Sequence, residues 1–312
     1  MRTHLPSALL ASALACSFFA APANAQSIRT FVSVAGSDSN PCTITQPCRH
    51  FSAAVAATAV GGEVDALDPG AYGSFTISHA ITIEGQGWSY VAPPNSGAAI
   101  TINAGSSDNI SIRGVSLNGV GTINSTGIQF NAGGSLNIQN SVIRNFGGDG
   151  IDFAPTVQGD LFVSNTLVSG NANTGIAVFP SGGYAHSVTI NRVETTDNVS
   201  YGVFLWGSPG SGSIAATVFE SIVSGSNYGL YALTDVGHST VKLSVFHSVA
   251  TRNSWGLRAE GQGATIFTAS SMSTGNILPW DAVNSGVVQT YGDNYLVGNT
   301  FDESAPPPVS KQ

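Results

Sequence analysis

Short alternations of apolar and polar residues, separated by turns, run through this chain from Glu63 onward. Their clearest form is a glycine followed by two apolar residues that flank one variable position. Alternation with a period of two residues is typical of half-buried β-strands. The form recurs six times, in Gly127-Ile-Gln-Phe, Gly150-Ile-Asp-Phe, Gly175-Ile-Ala-Val, Gly202-Val-Phe-Leu, Gly229-Leu-Tyr-Ala and Gly256-Leu-Arg-Ala.

The glycines of these strings lie 23 to 27 residues apart, and an asparagine precedes each of them by a few positions. A fixed period in this range indicates stacked coils that share one continuous core. The ladder of leucines that leucine-rich repeats need is absent, and so is the strict short period of hexapeptide helices. The spacing therefore predicts an all-β fold, a right-handed parallel β-helix, because parallel crossovers are right-handed in nearly all proteins.

The two ends of the chain differ from the repeats. Residues 1–25 have the basic start, apolar centre and Ala-Asn-Ala site of a secretory signal peptide. We predict a single β-helix domain over residues 26–303, followed by a disordered tail over residues 304–312. Residues 26–62 form its N-terminal cap, with an apolar-sided helix over residues 49–60 that ends at Gly61-Gly62 and covers the open end of the first coil.

Cysteine usage agrees with export. Removing the signal peptide removes Cys16 and leaves Cys42 and Cys48 in a short proline-flanked loop. A local disulfide is the expectation for such a pair, since two cysteines without histidines at ligand spacing are too few for a zinc site. The protein is therefore predicted to be periplasmic or extracellular.

Charge is sparse and acidic. The chain has 10 Lys and Arg against 18 Asp and Glu, and charged residues make up 9% of it. Without Arg2 of the signal peptide the balance is 9 − 18 = −9. This balance argues against nucleic acid and anionic membranes as partners, and no stretch has the length and apolar content of a membrane span.

Several features together resemble a known superfamily. They are the cap sequence Phe31-Val-Ser-Val-Ala-Gly-Ser-Asp-Ser-Asn, the single helix, the strand entry Asp68-Pro-Gly-Ala-Tyr and the Asn- and Gly-rich coils. The chain resembles the pectate-lyase-like β-helix superfamily, and more narrowly it is similar to uncharacterised exported β-helix repeat proteins of proteobacteria. The resemblance implies the fold over residues 30–300. It does not imply one activity, because the superfamily contains lyases, hydrolases, epimerases, esterases and non-enzymatic adhesins.

Two columns of side chains are predicted to point outward on the repeated strands, and the direction of a further column, which lies at a turn, is left open. The first runs Gln129, Asp152, Ala177, Phe204, Tyr231, Arg258, and the second lies two residues further along. A third precedes the glycines. Aromatic residues collect in the later coils of these columns: Phe179, Tyr201, Phe204, Trp206, Tyr228, Tyr231 and Trp255.

This aromatic surface has three interpretations. Rings at the coil spacing of about 4.8 Å stabilise neighbouring coils by stacking on one another. They also suit contact with the sugar rings of an extended glycan, for which Tyr201, Phe204, Trp206, Tyr228, Tyr231 and Trp255 are the candidate residues. The third interpretation is a lateral interface with another chain, including self-association.

The sequence gives weaker evidence for a catalytic site than for the aromatic surface. One cluster is Arg144 with Asp149 and Asp152, where two carboxylates suit glycoside hydrolysis or Ca²⁺ binding. The polygalacturonase signature is absent, and the acids are scattered compared with the Ca²⁺ site of pectate lyases.

A second group sits on the predicted outside of a turn. An asparagine ladder, Asn140, Asn165 and Asn191 continued by Phe219 and Phe246, is predicted to stabilise one turn of the coils. The column after it is Ser141, Thr166, Arg192, Glu220 and His247. Glu220 and His247 there are candidates for acid–base chemistry, and a surface ion-pair ladder is the alternative.

The sequence thus predicts a secreted β-helix whose aromatic surface binds polysaccharide. The alternatives are a polysaccharide lyase or glycoside hydrolase, or a non-enzymatic, adhesin-like surface protein. No cofactor is expected. Ca²⁺ would be the one exception, if the acid cluster is catalytic.

Overall fold

The computed structural model describes residues 26–301 and 304–309, so the predicted signal peptide lies outside the described residues. The first part of this region contains α1 (Phe51–Ala57) and β1 (Ser27–Val32), β2 (Thr58–Ala66), β3 (Gly70–Ala71), β4 (Phe75–Ile77), β5 (Ile81–Val91), β6 (Gly97–Asn103), β7 (Asn109–Asn118), β8 (Ser125–Ala132), β9 (Ser135–Gln139), β10 (Val142–Arg144), β11 (Ile151–Phe153), β12 (Asp160–Ser164) and β13 (Leu167–Ser169). The second part contains β14 (Thr174–Val178), β15 (Ala185–Asn191), β16 (Glu194–Thr196), β17 (Tyr201–Trp206), β18 (Ser213–Phe219), β19 (Ile222–Ser224), β20 (Tyr228–Leu233), β21 (Thr240–Phe246), β22 (Val249–Thr251), β23 (Trp255–Glu260), β24 (Ala264–Ala269), β25 (Met272–Thr274), β26 (Leu278–Val283) and β27 (Val287–Thr290).

Each coil of the central part contributes three strands, and each strand pairs in parallel with its equivalent in the next coil. In one such coil β14 pairs with β17, β15 with β18 and β16 with β19. The first strands of the coils build a nine-stranded sheet in the order β26-β23-β20-β17-β14-β11-β8-β6-β4. The other two rows join into a sheet of 18 strands. The described residues therefore form a parallel β-solenoid, as the repeat spacing predicts.

The inward side of the repeated strands forms the core. One buried hydrophobic cluster extends from Val32 to Val288. All the residues expected to face inward in the repeats are buried: Ile128, Phe130, Ile151, Phe153, Ile176, Val178, Val203, Leu205, Leu230 and Leu257. The pairing register places Gln129 opposite Asp152, and Phe204 opposite Tyr231. The predicted outward column is thus confirmed.

The repeated glycine follows from packing at the corner before each of these strands. A Cβ on Gly175 would lie 2.6 Å from the Gly202 carbonyl oxygen and 2.8 Å from Nδ2 of Asn198. A Cβ on Gly229 would meet Gly256 and Asn253 at the same two distances. Any larger side chain would collide with the backbone of the next coil.

The neighbour of these glycines is a buried asparagine ladder at a corner other than the one predicted. Oδ1 of Asn253 accepts the Ser226 N–H at 3.0 Å, and Oδ1 of Asn276 accepts the Asn253 N–H at 3.0 Å. The ladder satisfies backbone groups that the sharp corner leaves unpaired. Its members are Asn171, Asn198, Asn253, Asn276 and Asn299.

The predicted ladder at the other corner was wrong in register by one residue. Asn191 pairs with Ser164 and Phe219, so Asn165 is level with Arg192 instead. That column has left-handed backbone, with φ from 47° to 52° at Asn140, Asn165, Arg192, Glu220 and His247. Asparagine favours this conformation, which explains its presence in the early coils. Coil length changes between the repeats, and this change caused the misalignment.

At this second corner, serine and threonine hydroxyl groups form the ladder of hydrogen bonds to the backbone. Oγ of Ser221 accepts the Val193 N–H at 3.1 Å and donates to the Phe219 carbonyl at 2.8 Å. Ser248 does the same with Ser221 and Phe246, at 3.1 Å and 2.7 Å. The same pattern holds at Ser141, Thr166 and Ser271.

The N-terminal cap contains the expected helix, but the helix is shorter than predicted. It ends at Ala57, because Thr58 already pairs with Ser27 at the start of β2, and Gly61-Gly62 lie within that strand. The Phe51 ring packs on Tyr72 and Phe75 at centroid distances of 5.2 Å and 5.1 Å. The cap is closed by the Cys42–Cys48 disulfide.

The far end of the solenoid is partly covered by residues 304–309, which the sequence assigns to a disordered tail. The Thr290 N–H donates to the Pro307 carbonyl at 3.1 Å, and the Val309 N–H donates to the Thr290 carbonyl at 2.8 Å. Nε1 of Trp280 donates to the Ser304 carbonyl at 2.9 Å. These bonds pair part of the edge that the last strand would otherwise expose. No helix in the described part of the chain is long and apolar enough to cross a membrane.

Candidate functional site

The aromatic residues predicted to point outward form one cluster on the outer face of the nine-stranded sheet. Three successive coils place Tyr201, Tyr228 and Trp255 level with one another. The column beside them carries Phe204 and Tyr231. The residues before the glycines, whose direction the sequence left open, point to the same side, since the Tyr201 and Phe204 rings stack at 4.4 Å.

The rings of this cluster lie nearly parallel and stack along the axis of the solenoid. Phe204 and Tyr231 are 5.0 Å apart with an interplanar angle of 9°, and Tyr228 and Trp255 are 4.7 Å apart at 14°. Tyr201 and Tyr228 are 5.3 Å apart at 18°. Each ring therefore covers the face of its neighbour, and such pairs contribute about 0.5–1.5 kcal/mol beyond the area that they bury.

Stacking reduces the number of rings that a ligand can reach. Phe204 and Tyr231 are only 8% and 7% exposed, so neither offers a ring face to solvent. Tyr201, Tyr228 and Trp255 are half-buried, and Trp206 is 39% exposed. The structure brings all six predicted glycan contacts together, but the accessible part of the cluster consists of these last four residues.

A charged network closes one end of the stack. The Arg258 guanidinium lies 5.6 Å from the centres of both the Tyr228 and Trp255 rings. It donates to Glu260 at 3.0 Å and to Asp281 at 2.5 Å. The Tyr231 hydroxyl donates to Glu260 at 2.6 Å. Burial and then the bond to Glu260 raise the pKa of the Tyr231 hydroxyl well above its usual range, so it stays a neutral donor.

Trp206 lies beside this stack and is held from one side. Its ring meets Phe179 edge-on at 6.0 Å, and its Nε1 donates to Oδ2 of Asp235 at 3.1 Å. The His238 ring is 6.2 Å away. Trp206 is thus oriented by its neighbours while part of its surface remains open to solvent.

Asp149 and Asp152 lie on the same face, in the same columns as the aromatic cluster but on an earlier coil. Oδ1 of Asp149 accepts the Thr174 N–H at 2.9 Å and the Asn173 amide at 2.8 Å. Oδ1 of Asp152 is buried and has no hydrogen-bond partner. Burial and then the Asp149 charge raise the pKa of Asp152 to about 6, and burial also raises the pKa of Asp149. A carboxyl group of this kind can exchange a proton near neutral pH.

The raised pKa of Asp152 predicts a stability change on substitution. Below the unfolded value near 4 the group is protonated in both states. Between about pH 4 and 6 the folded state holds the proton more tightly, so stability falls as pH rises, and the full penalty is present above pH 6. Asp152→Asn should therefore raise the free energy of unfolding at pH 8 by on the order of 2 kcal/mol and leave it nearly unchanged at pH 4.

Urea unfolding at the two pH values, followed by circular dichroism, measures this difference. Glu194→Gln removes an exposed carboxylate from the other sheet and should change neither value by more than about 0.5 kcal/mol. An Asp152→Asn variant that is less stable than the wild type at pH 8 would show that the carboxylate is stabilised by its surroundings.

The remaining catalytic candidates lie away from this face. Arg144 ends β10, in the 18-stranded sheet, and it is exposed. Glu220 and His247 lie at the left-handed corner column. The guanidinium of Arg192 pairs with Glu220 at 3.5 Å, and His247 packs on Phe219 with ring centres 5.5 Å apart. All three residues of that corner are exposed, and Arg192 with Glu220 has the arrangement of a surface ion pair.

Metal ligands are not gathered in the described residues. Residues 26–301 and 304–309 contain no group of three or more His, Cys, Asp or Glu that could hold a metal ion.

Sequence reasoning missed the polar partners of the aromatic cluster. The sequence pattern places Arg258 in the outward column without assigning it to the site, and it does not indicate Asp235 or Asp281. Asp281 follows Arg258 by one coil, at the next position of the same column. Extending the column by one more repeat would have found it.

Comparison with known proteins agrees with this architecture. A family model described as a right handed beta helix region matches residues 70–215. A crystal structure of the pectate lyase Pel9A superposes with a TM-score of 0.63 over 91% of this chain and 78% of that one. The chain has the right-handed parallel β-helix fold. The sequence identity in this β-helix pair is 14%, so the likeness concerns the fold. No curated protein matches the chain.

Proposed function

We propose that this β-helix is an exported protein that binds extended polysaccharide along the outer face of its nine-stranded sheet. The supporting observation is the contiguous cluster of Tyr201, Trp206, Tyr228 and Trp255, all partly exposed on adjacent coils. Contiguous exposed apolar surface on a soluble protein usually marks a binding site. The fold that the chain shares with a pectate lyase is consistent with a carbohydrate ligand.

The form of the cluster suits a chain-like ligand. Its strands are about 4.8 Å apart, so the rings from β17 to β23 extend along the solenoid axis without a gap. Tyr201 and Tyr228 are partly exposed on this surface, with Trp206 beside them. Such a surface offers apolar contact to sugar C–H groups and hydrogen bonds to sugar hydroxyls. The Cys42–Cys48 disulfide is in keeping with an oxidising compartment outside the cytoplasm.

Replacing Trp206 and Trp255 by Ala should weaken polysaccharide binding. Each ring contributes about 0.5–1.5 kcal/mol, so the double variant should lose roughly 5- to 150-fold in affinity. Affinity electrophoresis in gels that contain neutral and acidic polysaccharides measures retention of the folded protein. Trp88→Ala, an equally drastic change at a 46% exposed tryptophan of the other sheet, is the matched control and should bind as the wild type does.

Four outcomes would redirect the assignment. If the wild type is retained by no polysaccharide, the binding proposal fails. If the Trp206→Ala, Trp255→Ala double variant and the Trp88→Ala control bind equally well, the ligand contacts another face. If the double variant mainly lowers the melting temperature, the rings act in coil stacking; a change in oligomeric state would instead point to self-association.

Hydrolysis of a polysaccharide is a second candidate function, and the acid pair favours it. Asp152 has a pKa of about 6 and lies near the Asp149 carboxyl, which is the kind of environment that a general acid needs. New reducing ends that the wild type releases and Asp152→Asn does not would establish hydrolysis. Retention without release, in both proteins, would leave binding as the function.

A further inference from the structure

The outer face of the nine-stranded sheet has an excess of negative charge. Asp149 and Asp152 lie on the coil of β11, and the later coils add further carboxylates. Asp235 follows β20, Glu260 ends β23 and Asp281 lies in β26. In the three outward columns of this face the balancing cation is Arg258. Five carboxylates thus lie on this face, two on the coil of β11 and three on or directly after β20, β23 and β26.

Arg258 is not available to an acidic ligand. Its guanidinium already contacts Glu260 and Asp281, and its side chain is 16% exposed. Both carboxylates remain partly exposed, 23% for the Glu260 side chain and 27% for that of Asp281. The bond to the Tyr231 hydroxyl holds the pKa of Glu260 below its usual range, so this group stays ionised. The positive charge is therefore neutralised within the protein, and one net negative charge is left over.

The His238 ring beside Trp206 already has polar partners of its own. Nδ1 of His238 lies 2.6 Å from the Gly207 carbonyl and 3.8 Å from Oδ2 of Asp235. Asp235 itself is bound to Trp206 on one oxygen, and its side chain is 56% exposed. The exposed tryptophan thus has a carboxylate, and not a free cation, as its immediate polar neighbour.

We infer that this face takes uncharged polysaccharide and rejects polyuronates, that is, polymers with a carboxylate on each sugar. The inference rests on the proposed function and specifies its ligand class. A polyuronate laid along the cluster would place its carboxylates within about one Debye length of several protein carboxylates at 0.1 M salt. The sparse charge of the chain, nine basic against 18 acidic residues after Arg2 is removed with residues 1–25, provides no compensating field.

Pairs of polymers that share a backbone and differ only in carboxylates test the inference. Suitable pairs are polygalacturonate with its fully methyl-esterified form, and 6-carboxycellulose with cellulose oligomers. Retention is measured at pH 8 in 20 mM NaCl, once with EDTA and once with Ca²⁺. The uncharged member of a retained pair should bind at least tenfold more tightly, and 0.5 M NaCl should shrink this ratio because salt screens the repulsion.

Substitution identifies the groups responsible. The double variant Asp152→Asn, Asp235→Asn removes two negative charges and keeps an amide oxygen as the acceptor for Nε1–H of Trp206. It should reduce the ratio of the affinities for the uncharged and the carboxylated polymer at least threefold. Glu194→Gln removes one charge from the other sheet and should leave the ratio unchanged. Equal or tighter retention of the carboxylated member, with EDTA or with Ca²⁺, overturns the inference while the proposed function stands. If no polymer of any pair is retained, both fail.

Discussion

Phe153→Asp should prevent the chain from folding. Phe153 is fully buried between coils, and its ring stacks on Phe130 at 4.7 Å. Truncating a buried Phe costs about 3–5 kcal/mol. The aspartate would in addition leave an unpaired charge, or a protonated acid without partners, in the apolar interior. The sum reaches the whole free energy of unfolding of an ordinary domain. The backbone cannot relax around the charge, because each coil is paired with the coil before it and with the coil after it.

Soluble yield, the far-UV circular dichroism spectrum and the urea midpoint measure this effect. Phe162→Asp is the matched control, since Phe162 is the half-exposed residue of β12 between two buried ones. The control should remain folded, with a loss of at most about 1–2 kcal/mol. A soluble Phe153→Asp protein with the melting temperature of the wild type would show that the inward register is incorrect.

Asn253→Ala should lower the free energy of unfolding by about 2–4 kcal/mol. Its side chain accepts the Ser226 N–H at 3.0 Å and donates to the Val223 carbonyl at 3.1 Å. It also donates to Asn276. Alanine leaves these backbone groups buried without partners, and each such group costs about 1–3 kcal/mol. The cavity left by the amide is small, so the missing hydrogen bonds dominate the loss.

The neighbouring turn supplies the control for the ladder. Asn227 is exposed, and Asn227→Ala should change stability by about 0.5 kcal/mol or less. Urea unfolding of both variants separates the two cases. If Asn253→Ala unfolds at the wild-type midpoint, water or a local shift of the corner replaces the ladder, and the glycine–asparagine packing is not what stabilises the corner.

The outward aromatic columns show how far a repeat alone can carry a prediction. Because side chains alternate along a strand, the placement of Tyr231 beside Phe204 followed from the glycine repeat. The accessibility of the same rings did not follow. Parallel stacking at about 5 Å makes each ring cover its neighbour, so Phe204 and Tyr231 became buried on the outside of the sheet. Only the angles between rings on different coils decide this.

The corner residues illustrate the opposite case, in which local pattern misled the alignment. Coil lengths vary by a few residues, and a column inferred across such a change shifts by one position. Asn191 was therefore grouped with Asn165, although strand pairing makes Asn165 level with Arg192. Only part of the buried ladder at the other corner follows from the repeat, since Asn198 and Asn253 precede repeat glycines whereas Asn276 and Asn299 do not. Its structural role depends on a contact between coils, since Gly229 packs against Asn253 of the next coil.

The sequence by itself determined the solenoid, the inward register of its repeated strands, the cap helix and the disulfide pair, because these depend on period, apolar alternation and local spacing. Tertiary structure alone decided which rings remain open and that Oδ1 of Asp152 is buried without a hydrogen-bond partner. It also joined Arg258 to Glu260 and Asp281, while Arg144, Glu220 and His247 lie apart from Asp149. Such properties depend on contacts between coils roughly 25 residues apart, where one residue of register or one ring angle changes what solvent can reach.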